Sequence, residues 1–445
     1  MSSMKQHSSG FSRRLARLRV RLVPALVLLL AWPASGAEPA RVKAFVGARL
    51  WDGTGRPPVE GAVLLVRDGR VEAAGPPATV TVPKDAEQIV LAGKTIIPGL
   101  INAHGHLGET RGLRSGPDLY TRENVLEQLR LYARYGVTTV VSLGGDQDEG
   151  FRVRDEQDTP SLDRARLFVA GPLVDATTAE EARVQVAALA MRKPDWVKIR
   201  VDDNLGTVPK MPPAAYRAVI EEAHRRGLRV AAHIFYREDA RALLEAGVDF
   251  VAHSVRDLDV DSGLVAAFKA RGVCLCPTLT REVQAFVYGA EPEFFADPFF
   301  LKEADPAVLA ALRDPKRQQG IRESAAAARY REALEVASRN LKALSAAGVA
   351  IAAGTDTGPP ARFQGYFEHL ELELMVKAGL TPAEALLMAT AGAARCLGLA
   401  GRVGTLERGA WADFVVLGAD PLADIRKTKS VDSVWIAGNR VPPRP

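Results

Sequence analysis

Residues 95–107 read TIIPGLINAHGHL, a short apolar run that ends in two histidines. Seven further apolar runs follow, and stretches with apolar residues at three-and-four spacing separate most of them. Repeated strand–helix units of this size predict an α/β protein with a (β/α)8 TIM barrel, whose reactive groups lie at the carboxyl ends of the strands. The eight predicted strands are 95–107, 137–144, 167–174, 196–202, 229–235, 250–255, 273–279 and 349–355. The predicted helices between them are 122–134, 178–193, 213–226, 237–246 and 262–271.

A doubly wound open sheet is the alternative architecture, but no glycine-rich phosphate fingerprint follows the first strand. Outside the predicted barrel, residues 95–399, short strand-like runs alternate with tight turns such as Asp68-Gly69. We therefore expect residues 38–94 and 400–445 to form one small composite β-sandwich domain.

The basic character of the chain lies in its leader. The formal net charge is +5, but residues 1–37 contain six lysines and arginines and no acidic residue, so the remainder carries −1. A cationic start, an apolar run and small residues before Glu38 predict a signal peptide, residues 1–37, and no stable membrane span after its cleavage. A retained membrane anchor is the alternative. We expect an exported protein, periplasmic or secreted, with no nucleic-acid partner. The sequence leaves open whether export uses the Sec or the Tat route.

The composition is that of a globular protein, with 47% hydrophobic and 25% charged residues. Three cysteines, Cys274, Cys276 and Cys396, are too few for a disulfide framework. Cys274 and Cys276 stand two residues apart in a predicted strand, where they are badly placed to bridge each other. We expect the cysteines to act as small buried apolar side chains.

Four of the seven histidines fall at predicted strand ends. His104 and His106 project from the same face of an extended strand, and His233 and His253 end the fifth and sixth strands. Asp356 follows the eighth strand and would face the same barrel mouth. Imidazole nitrogens and a carboxylate oxygen are suitable ligands for zinc or a similar divalent ion. This pattern predicts a metal centre.

Lys198 ends the fourth strand, where an ammonium group would be repelled by nearby metal ions. A buried lysine with a lowered pKa can be neutral, and a neutral amine can combine with carbon dioxide to form a carbamate. The product is an anion able to bridge two metals. An unmodified structural lysine beside one metal is the alternative.

The chain resembles the amidohydrolase superfamily, in the branch of imidazolonepropionase-like and prolidase-like metal-dependent hydrolases. The resemblance extends over nearly the whole chain after the leader. It is carried by the segments 94–102, 135–139, 353–356, 379–385 and 409–414.

The resemblance implies a binuclear centre with two divalent ions, zinc by first expectation, although manganese, cobalt or iron would also suit the ligands. His104, His106 and Asp356 would hold the first ion, His233 and His253 the second, and carbamylated Lys198 would bridge them. Asp356 would be catalytic, as the proton shuttle for a metal-bridging hydroxide. The bridging lysine points to the peptidase-like subset of the family.

The expected activity is hydrolysis of a C–N amide bond in a small-molecule substrate, either a dipeptide or an N-acyl amino acid. A hydrolase of cyclic amides, lactones or organophosphates would use the same centre, and a non-catalytic binding protein is the alternative of a different class. The sequence leaves open whether the protein forms a homo-oligomer.

Substrate contacts are predicted at Tyr236, Arg200 and Arg256, and Arg281 also follows a strand end. An arginine could bind a substrate carboxylate with two hydrogen bonds, or it could form an ion pair at the rim, for example with Asp257 or Glu282. His224 and His369 fall within predicted helices and are interpreted as structural.

Two positions depart from the family pattern. Asn102 stands where many relatives have an aspartate. Two residues after His233, where prolidase-like relatives often have a tyrosine, this chain has Phe235, and Tyr236 follows it. An aromatic insertion, residues 281–320, precedes a long predicted helix at 324–347, and we interpret the insertion as an extra packed helical layer. A lid or a dimer contact is the alternative.

Overall fold

The computed structural model describes residues 42–444. The predicted signal peptide, residues 1–37, lies outside the described residues. The described part is an α/β protein with two parallel sheets, a large mixed sheet built from both termini, and a small hairpin.

Within residues 42–444 the strands are β1 Lys43–Leu50, β2 Val59–Arg67, β3 Arg70–Gly75, β4 Glu87–Val90, β5 Thr95–Pro98, β6 Leu100–Gly105, β7 Thr110–Arg111, β8 Arg114–Ser115, β9 Val137–Ser142, β10 Arg166–Val169, β11 Val197–Val201, β12 Val230–Ile234, β13 Phe250–Ala252, β14 Cys274–Cys276, β15 Phe414–Leu417, β16 Val431–Ile436 and β17 Asn439–Arg440.

The α-helices of the same range are α1 Arg122–Arg134, α2 Asp148–Asp155, α3 Ala179–Ala190, α4 Pro213–Arg225, α5 Arg237–Ala246, α6 Ser262–Arg271, α7 Leu279–Phe286, α8 Pro298–Leu301, α9 Pro306–Leu312, α10 Pro315–Arg322, α11 Ala325–Ala346, α12 Tyr366–Lys377, α13 Pro382–Met388 and α14 Ala391–Leu397. Short 3-10 turns lie at Pro117–Leu119, Val287–Gly289, Glu293–Ala296 and Ile425–Lys429.

The two terminal segments meet in one mixed sheet of eight strands. Its order is β17-β16-β15-β5-β1-β2-β3, with β4 pairing beside β5 on the same edge of β1. The sequence predicted a sandwich of two sheets, whereas the hydrogen bonding is continuous. Phe45 of β1 nevertheless packs edge-on against Phe414 and Trp435, with ring centroids 4.9 and 4.7 Å apart. The sheet therefore bends until its two halves share one apolar core, as the halves of a sandwich do.

The first predicted barrel strand, 95–107, is two strands in the structure. Thr95–Pro98 pairs with β1 and β15 in the mixed sheet, and Leu100–Gly105 pairs with β9 in a parallel sheet. Proline lacks a backbone N–H, and Gly99 packs so closely on Thr138 that a side chain would not fit there. The chain therefore passes from one sheet to the other at Pro98-Gly99.

The remaining apolar runs form two parallel sheets, β10-β9-β6 and β11-β12-β13-β14. The run predicted as the eighth strand has one bridging residue, Ile351, which pairs with Leu275. Thr357 pairs with Gly105, and Val174 pairs with Ile199. These isolated parallel bridges lie between the edges of the two sheets.

Helix boundaries follow the capping signals. Thr121 and Asp261 accept backbone hydrogen bonds at the starts of α1 and α6, and Thr178 forms a capping box with Glu181 in α3. Gly247 and Gly272 end α5 and α6 in left-handed conformations, with φ of 94° and 64°. The predicted bounds of α1, α5 and α6 match the structure.

The cysteine prediction is wrong for two of the three residues. Cys274 of β14 and Cys396 of α14 form a disulfide between residues 122 apart in sequence, while Cys276 is a buried free thiol. The sequence argument considered Cys274 only against its neighbour Cys276. The bond joins the parallel sheet to a helix that follows it by more than a hundred residues.

The aromatic insertion packs into the protein as a helical layer. Phe295 and Phe300 are buried with stacked rings 5.7 Å apart, and they belong to one apolar cluster with Tyr288, Tyr366 and Phe367. Among residues 42–444, no helix is both long and apolar enough to cross a membrane.

Candidate metal centre

Five of the six predicted side chains line one cavity of about 400 Å³, namely His104, His106, Lys198, His233 and Asp356. The sixth, His253, is fully buried beside His104 and His233. His104 lies on β6, Lys198 on β11 and His233 on β12. His253 and Asp356 follow their strands with positive φ, 72° and 59°. Such a backbone conformation is costly for residues other than glycine and is often found at functional sites.

One half of the cluster surrounds Asp356. Its Oδ1 atom lies 2.8 Å from Nε2 of His106 and 3.4 Å from Nε2 of His104. The Nζ atom of Lys198 lies 3.3 Å from the same His104 nitrogen. These contacts place the lysine amine beside His104, whose ring in turn lies beside the Asp356 carboxylate.

The other half is a pair of histidines. Nε2 of His253 lies 2.9 Å from Nδ1 of His233. The His253 ring also approaches the His104 ring, with centroids 4.7 Å apart, which joins the two halves. One ligand atom each from His104, His253 and Asp356 lie within 4.8 Å of one another, close enough to hold one metal ion.

The outer nitrogen of three rings is anchored by the protein. Asp202 Oδ2 lies 2.7 Å from Nε2 of His233, and Thr278 Oγ1 lies 2.6 Å from Nδ1 of His253. The carbonyl of Gly144 lies 2.9 Å from Nδ1 of His106. Partners of this kind fix the orientation of metal-binding histidines, so the remaining nitrogen of each ring faces the centre.

Sequence reasoning missed the roles of Asp202 and Thr278. Asp202 was the last residue of a predicted strand, and its alternation with Lys198 and Arg200 could have placed it on the same face. Nothing local to Thr278 signals its contact with a histidine that lies 25 residues away in sequence.

Burial disfavours positive charge at the centre. It lowers the pKa of His233 to about 3, and it holds the pKa values of His104 and His253 well below the usual range. Burial also lowers the pKa of the Lys198 amine to about 8. His104, His233 and His253 are therefore neutral at pH 7, and about a tenth of the lysine is unprotonated at that pH.

Arg362 keeps Asp356 ionised. Burial alone would raise the pKa of this carboxyl group, but the Arg362 guanidinium, followed by His104 and His106, holds it well below its usual range. Arg362 forms an ion pair with Asp356 Oδ2, and its Nη1 atom also lies 3.3 Å from the Asp356 carbonyl oxygen. Sequence reasoning missed this arginine, which follows no strand end.

The predicted substrate residues divide into two groups. Arg200 lines the cavity, as does Arg281, whereas Arg256 and Tyr236 do not. Arg256 is fully buried, with its Nε atom 3.0 Å from Glu282 and its guanidinium over the Phe235 ring. It is therefore not available to a substrate carboxylate, contrary to the prediction.

Tyr236 is engaged elsewhere. Its hydroxyl donates a hydrogen bond of 2.8 Å to Asp203, and Lys210 lies over its ring. Reaching an oxyanion in the cavity would require the side chain to leave both partners.

A buried carboxylate stands behind the centre. Oε1 of Glu368 accepts hydrogen bonds from Asn102, Thr355 and Thr357, each 2.7 Å long. The Asn102 side-chain oxygen in turn accepts from the backbone N–H of His104 at 3.0 Å. The position where many relatives have an aspartate is thus connected to a glutamate of α12.

The two helical histidines lie away from the cavity. His369 is buried, with Nε2 2.7 Å from the Tyr135 carbonyl oxygen and Nδ1 2.9 Å from the Thr428 hydroxyl. His224 is exposed, with Nε2 2.9 Å from Asp249. Neither lines the cavity at the centre.

Comparison with known proteins gives a consistent picture. The family model described as "Amidohydrolase family" matches residues 95–441. An uncharacterised protein of Mycobacterium tuberculosis is 26% identical over 380 residues, which cover 83% of this chain and 89% of that protein. Ochratoxinase of Aspergillus niger is 29% identical over 287 residues, covering 62% of this chain and 52% of the relative.

Among solved structures, that of a candidate prolidase from Bifidobacterium longum is similar to this chain. The two superpose with a TM-score of 0.72 at 27% sequence identity, covering 92% of this chain and 96% of that one.

Proposed function

The chain belongs to the amidohydrolase family, and from that premise we propose that it is a metal-dependent hydrolase of C–N amide bonds. The proposed substrate is a dipeptide or an N-acyl amino acid. The observation that carries this proposal is one cluster of side chains at one cavity. Five of them line it, His104, His106, Lys198, His233 and Asp356, and His253 is buried against His104 and His233.

We propose that the two parallel sheets are arcs of one closed (β/α)8 barrel, residues 95–399, beside a β domain of residues 38–94 and 400–445. Hydrogen bonds between the sheet edges support closure. The backbone N–H of Ala103 donates to Ala353 at 2.9 Å, that of Leu275 to Ala350 at 3.0 Å, and that of Val174 to Lys198 at 2.9 Å.

The donor set fits divalent metal ions. Nitrogen atoms of four imidazoles and one ionised carboxylate lie in one cluster, and Asp202, Thr278 and Gly144 orient three of the rings from behind. Nitrogen and oxygen ligands of this kind suit zinc. Divalent ions held there would polarise a scissile carbonyl and make water nucleophilic at neutral pH.

Lys198 is placed to become the bridging anion. It is 2% exposed, and its pKa, lowered by burial to about 8, leaves about a tenth of the amine unprotonated at pH 7 and so able to react. The amine nitrogen would attack the carbon of carbon dioxide and lose one proton to solvent, which leaves a carbamate with one negative charge. Position 198 would then carry an anion beside His104 instead of a cation.

Asp356 is the proposed proton shuttle. Hydrolysis adds the oxygen of water to the acyl carbon and breaks the C–N bond, and a proton from that water ends on the departing amine. Asp356 is ionised and lines the cavity, so it can accept the proton and pass it on.

We propose that the protein is exported and that its mature form begins near Glu38. The leader composition supports this. Determining the first residue of the protein recovered from cells and from the medium would test both the cleavage site and the compartment.

A substrate panel tests the proposed activity. The full chain, purified with zinc and bicarbonate, is assayed on dipeptides, N-acyl amino acids, a lactone and a phosphotriester, with a chelated sample as control. Amine release from the amides alone, lost on chelation, supports the proposal. Cleavage of only the lactone or the phosphotriester would contradict it.

A further inference from the structure

The positive charge of two guanidinium groups in the cavity wall is not fully balanced by carboxylates of the described residues. Arg200 and Arg281 both line the cavity beside the candidate metal ligands. Arg362, the third arginine of the wall, has a carboxylate of its own in Asp356, whereas Arg200 and Arg281 do not within residues 42–444.

Arg200 has no carboxylate partner among the described residues. Within residues 42–444 its side chain donates one hydrogen bond, from Nε to the carbonyl oxygen of Asp202 at 3.4 Å. Arg200 stands two residues beyond Lys198 on β11, so both side chains leave the same face of the strand. The strand rise places Arg200 about 7 Å farther toward the cavity mouth.

Arg281 shares its carboxylate. Glu282 lies 3.2 Å from Nη1 of Arg281 and 3.0 Å from Nε of Arg256, and all three side chains are more than nine-tenths buried. One negative charge therefore serves two guanidinium groups. Asp202, the other carboxylate that acts on Arg256, is bound to His233.

The donors of Arg281 are also incompletely used. Nη2 lies 3.3 Å from the Tyr330 hydroxyl, while Nε is buried and has no hydrogen-bond partner among the described residues. A buried unpaired donor is costly unless a ligand satisfies it. Arg281 also acts electrostatically on both His233 and Asp356, which places it near the reacting centre.

The carboxylates of the cavity do not remove this excess. Asp356 is paired with Arg362, and Glu109 lies beside Gly145 on the wall formed by residues 107–115 and 143–145. No ion pair joins Glu109 to Arg200 or Arg281 within residues 42–444.

Resting on the proposed function, we propose that the substrate releases an acidic amino acid, with Arg281 binding the carboxylate nearest the scissile amide and Arg200 binding the side-chain carboxylate. A guanidinium binds a carboxylate through two parallel charged hydrogen bonds, which a neutral amide cannot reproduce. The substrate class is therefore an N-acyl or aminoacyl derivative of glutamate or aspartate.

The test compares two substrates of nearly equal shape, glycyl-glutamate and glycyl-glutamine. For the full chain loaded with zinc and bicarbonate, we expect kcat/KM to be about tenfold or more higher for glycyl-glutamate. Arg200→Met should remove this preference, because it should lower kcat/KM for glycyl-glutamate about tenfold more than for glycyl-glutamine. Arg339→Met, in an exposed ion pair with Asp259, is the matched control and should keep the preference.

A charge reversal and a binding measurement complete the test. Arg200→Glu should favour glycyl-lysine over glycyl-glutamate, and L-glutamate should bind the wild-type chain about tenfold or more tightly than L-glutamine in calorimetry, a difference lost in Arg200→Met. Equal use of the two first substrates, or an equal loss for both in Arg200→Met, would overturn the inference while leaving amide hydrolysis intact. Selective glutamate binding without any amide hydrolysis would instead contradict the proposed function.

Discussion

The Nζ atom of Lys198 lies 3.3 Å from Nε2 of His104, deep in the protein and within the same cluster as Asp356. An ammonium ion at this position would oppose the binding of any metal cation by the histidines. A carbamate would assist it. The chemistry of the centre therefore depends on the state of this one lysine.

Asp202→Asn should weaken metal binding by about 10- to 100-fold. The Asp202 carboxylate accepts from Nε2 of His233 and fixes the ring with Nδ1 facing the centre. An asparagine amide could present a donor to that nitrogen and favour the wrong tautomer.

The affinity is measured by competition with a chelator at fixed pH. Asp203→Asn is the matched control, because the neighbouring Asp203 carboxylate binds the Tyr236 hydroxyl instead. Equal metal affinity in both variants would contradict the role given to Asp202.

Asp356→Asn should lower kcat by about 10²- to 10⁴-fold, the usual range for general acid–base catalysis. Asparagine keeps an oxygen ligand but cannot accept and return a proton. Metal content and kcat are measured on the same sample. An unchanged rate with metal still bound would show that Asp356 is not the proton shuttle.

Loss of the Cys274–Cys396 disulfide should lower the free energy of unfolding by about 2–5 kcal/mol. The bond closes a loop of 122 residues, so its removal frees the unfolded chain substantially. The check is the urea midpoint of Cys274→Ser/Cys396→Ser. Reductant should lower the wild-type midpoint to the variant's value and leave the variant itself unchanged; a reductant-insensitive wild type would argue against the bond.

His369 should make the protein less stable in acid. Burial lowers its pKa to about 3, so the unfolded chain binds more protons than the folded chain from about pH 6.5 down to about pH 3. Its contribution to stability is complete above pH 6.5 and is lost as the pH falls through this window, with a slope of up to about 1.4 kcal/mol per pH unit.

Denaturant titrations at several pH values measure that slope. His369→Gln should reduce it, and His224→Gln, a histidine at the exposed surface, is the control that should keep it. A wild-type slope in His369→Gln would mean that other groups cause the acid sensitivity.

The sequence located strand ends and helices well where the signal is local. Capping residues and glycines marked the bounds of α5 and α6, and the family resemblance is confirmed. The alternation of strands and helices also predicted that the six candidate ligands lie in one cluster, because the carboxyl ends of parallel strands share one side of a sheet.

Features set by distant contacts were missed. The partner of Cys274 lies 122 residues away. The sequence named Glu282 as an ion-pair partner but placed that pair at the rim, whereas Arg256 and Glu282 are both fully buried. The long run 95–107 gave no local sign that its two halves belong to different sheets, apart from Pro98-Gly99. Arg362 and Glu368 lie outside the strand ends, where sequence patterns carry no information on the centre.

Metal content tests the central claim most directly. The full chain equilibrated with zinc and bicarbonate should hold about two ions, as expected for a carbamate-bridged pair. Lys198→Ala, which cannot form the bridge, should lose at least one of them together with amide hydrolysis. A single ion in the wild type, unaffected by Lys198→Ala, would contradict the binuclear centre proposed for this protein.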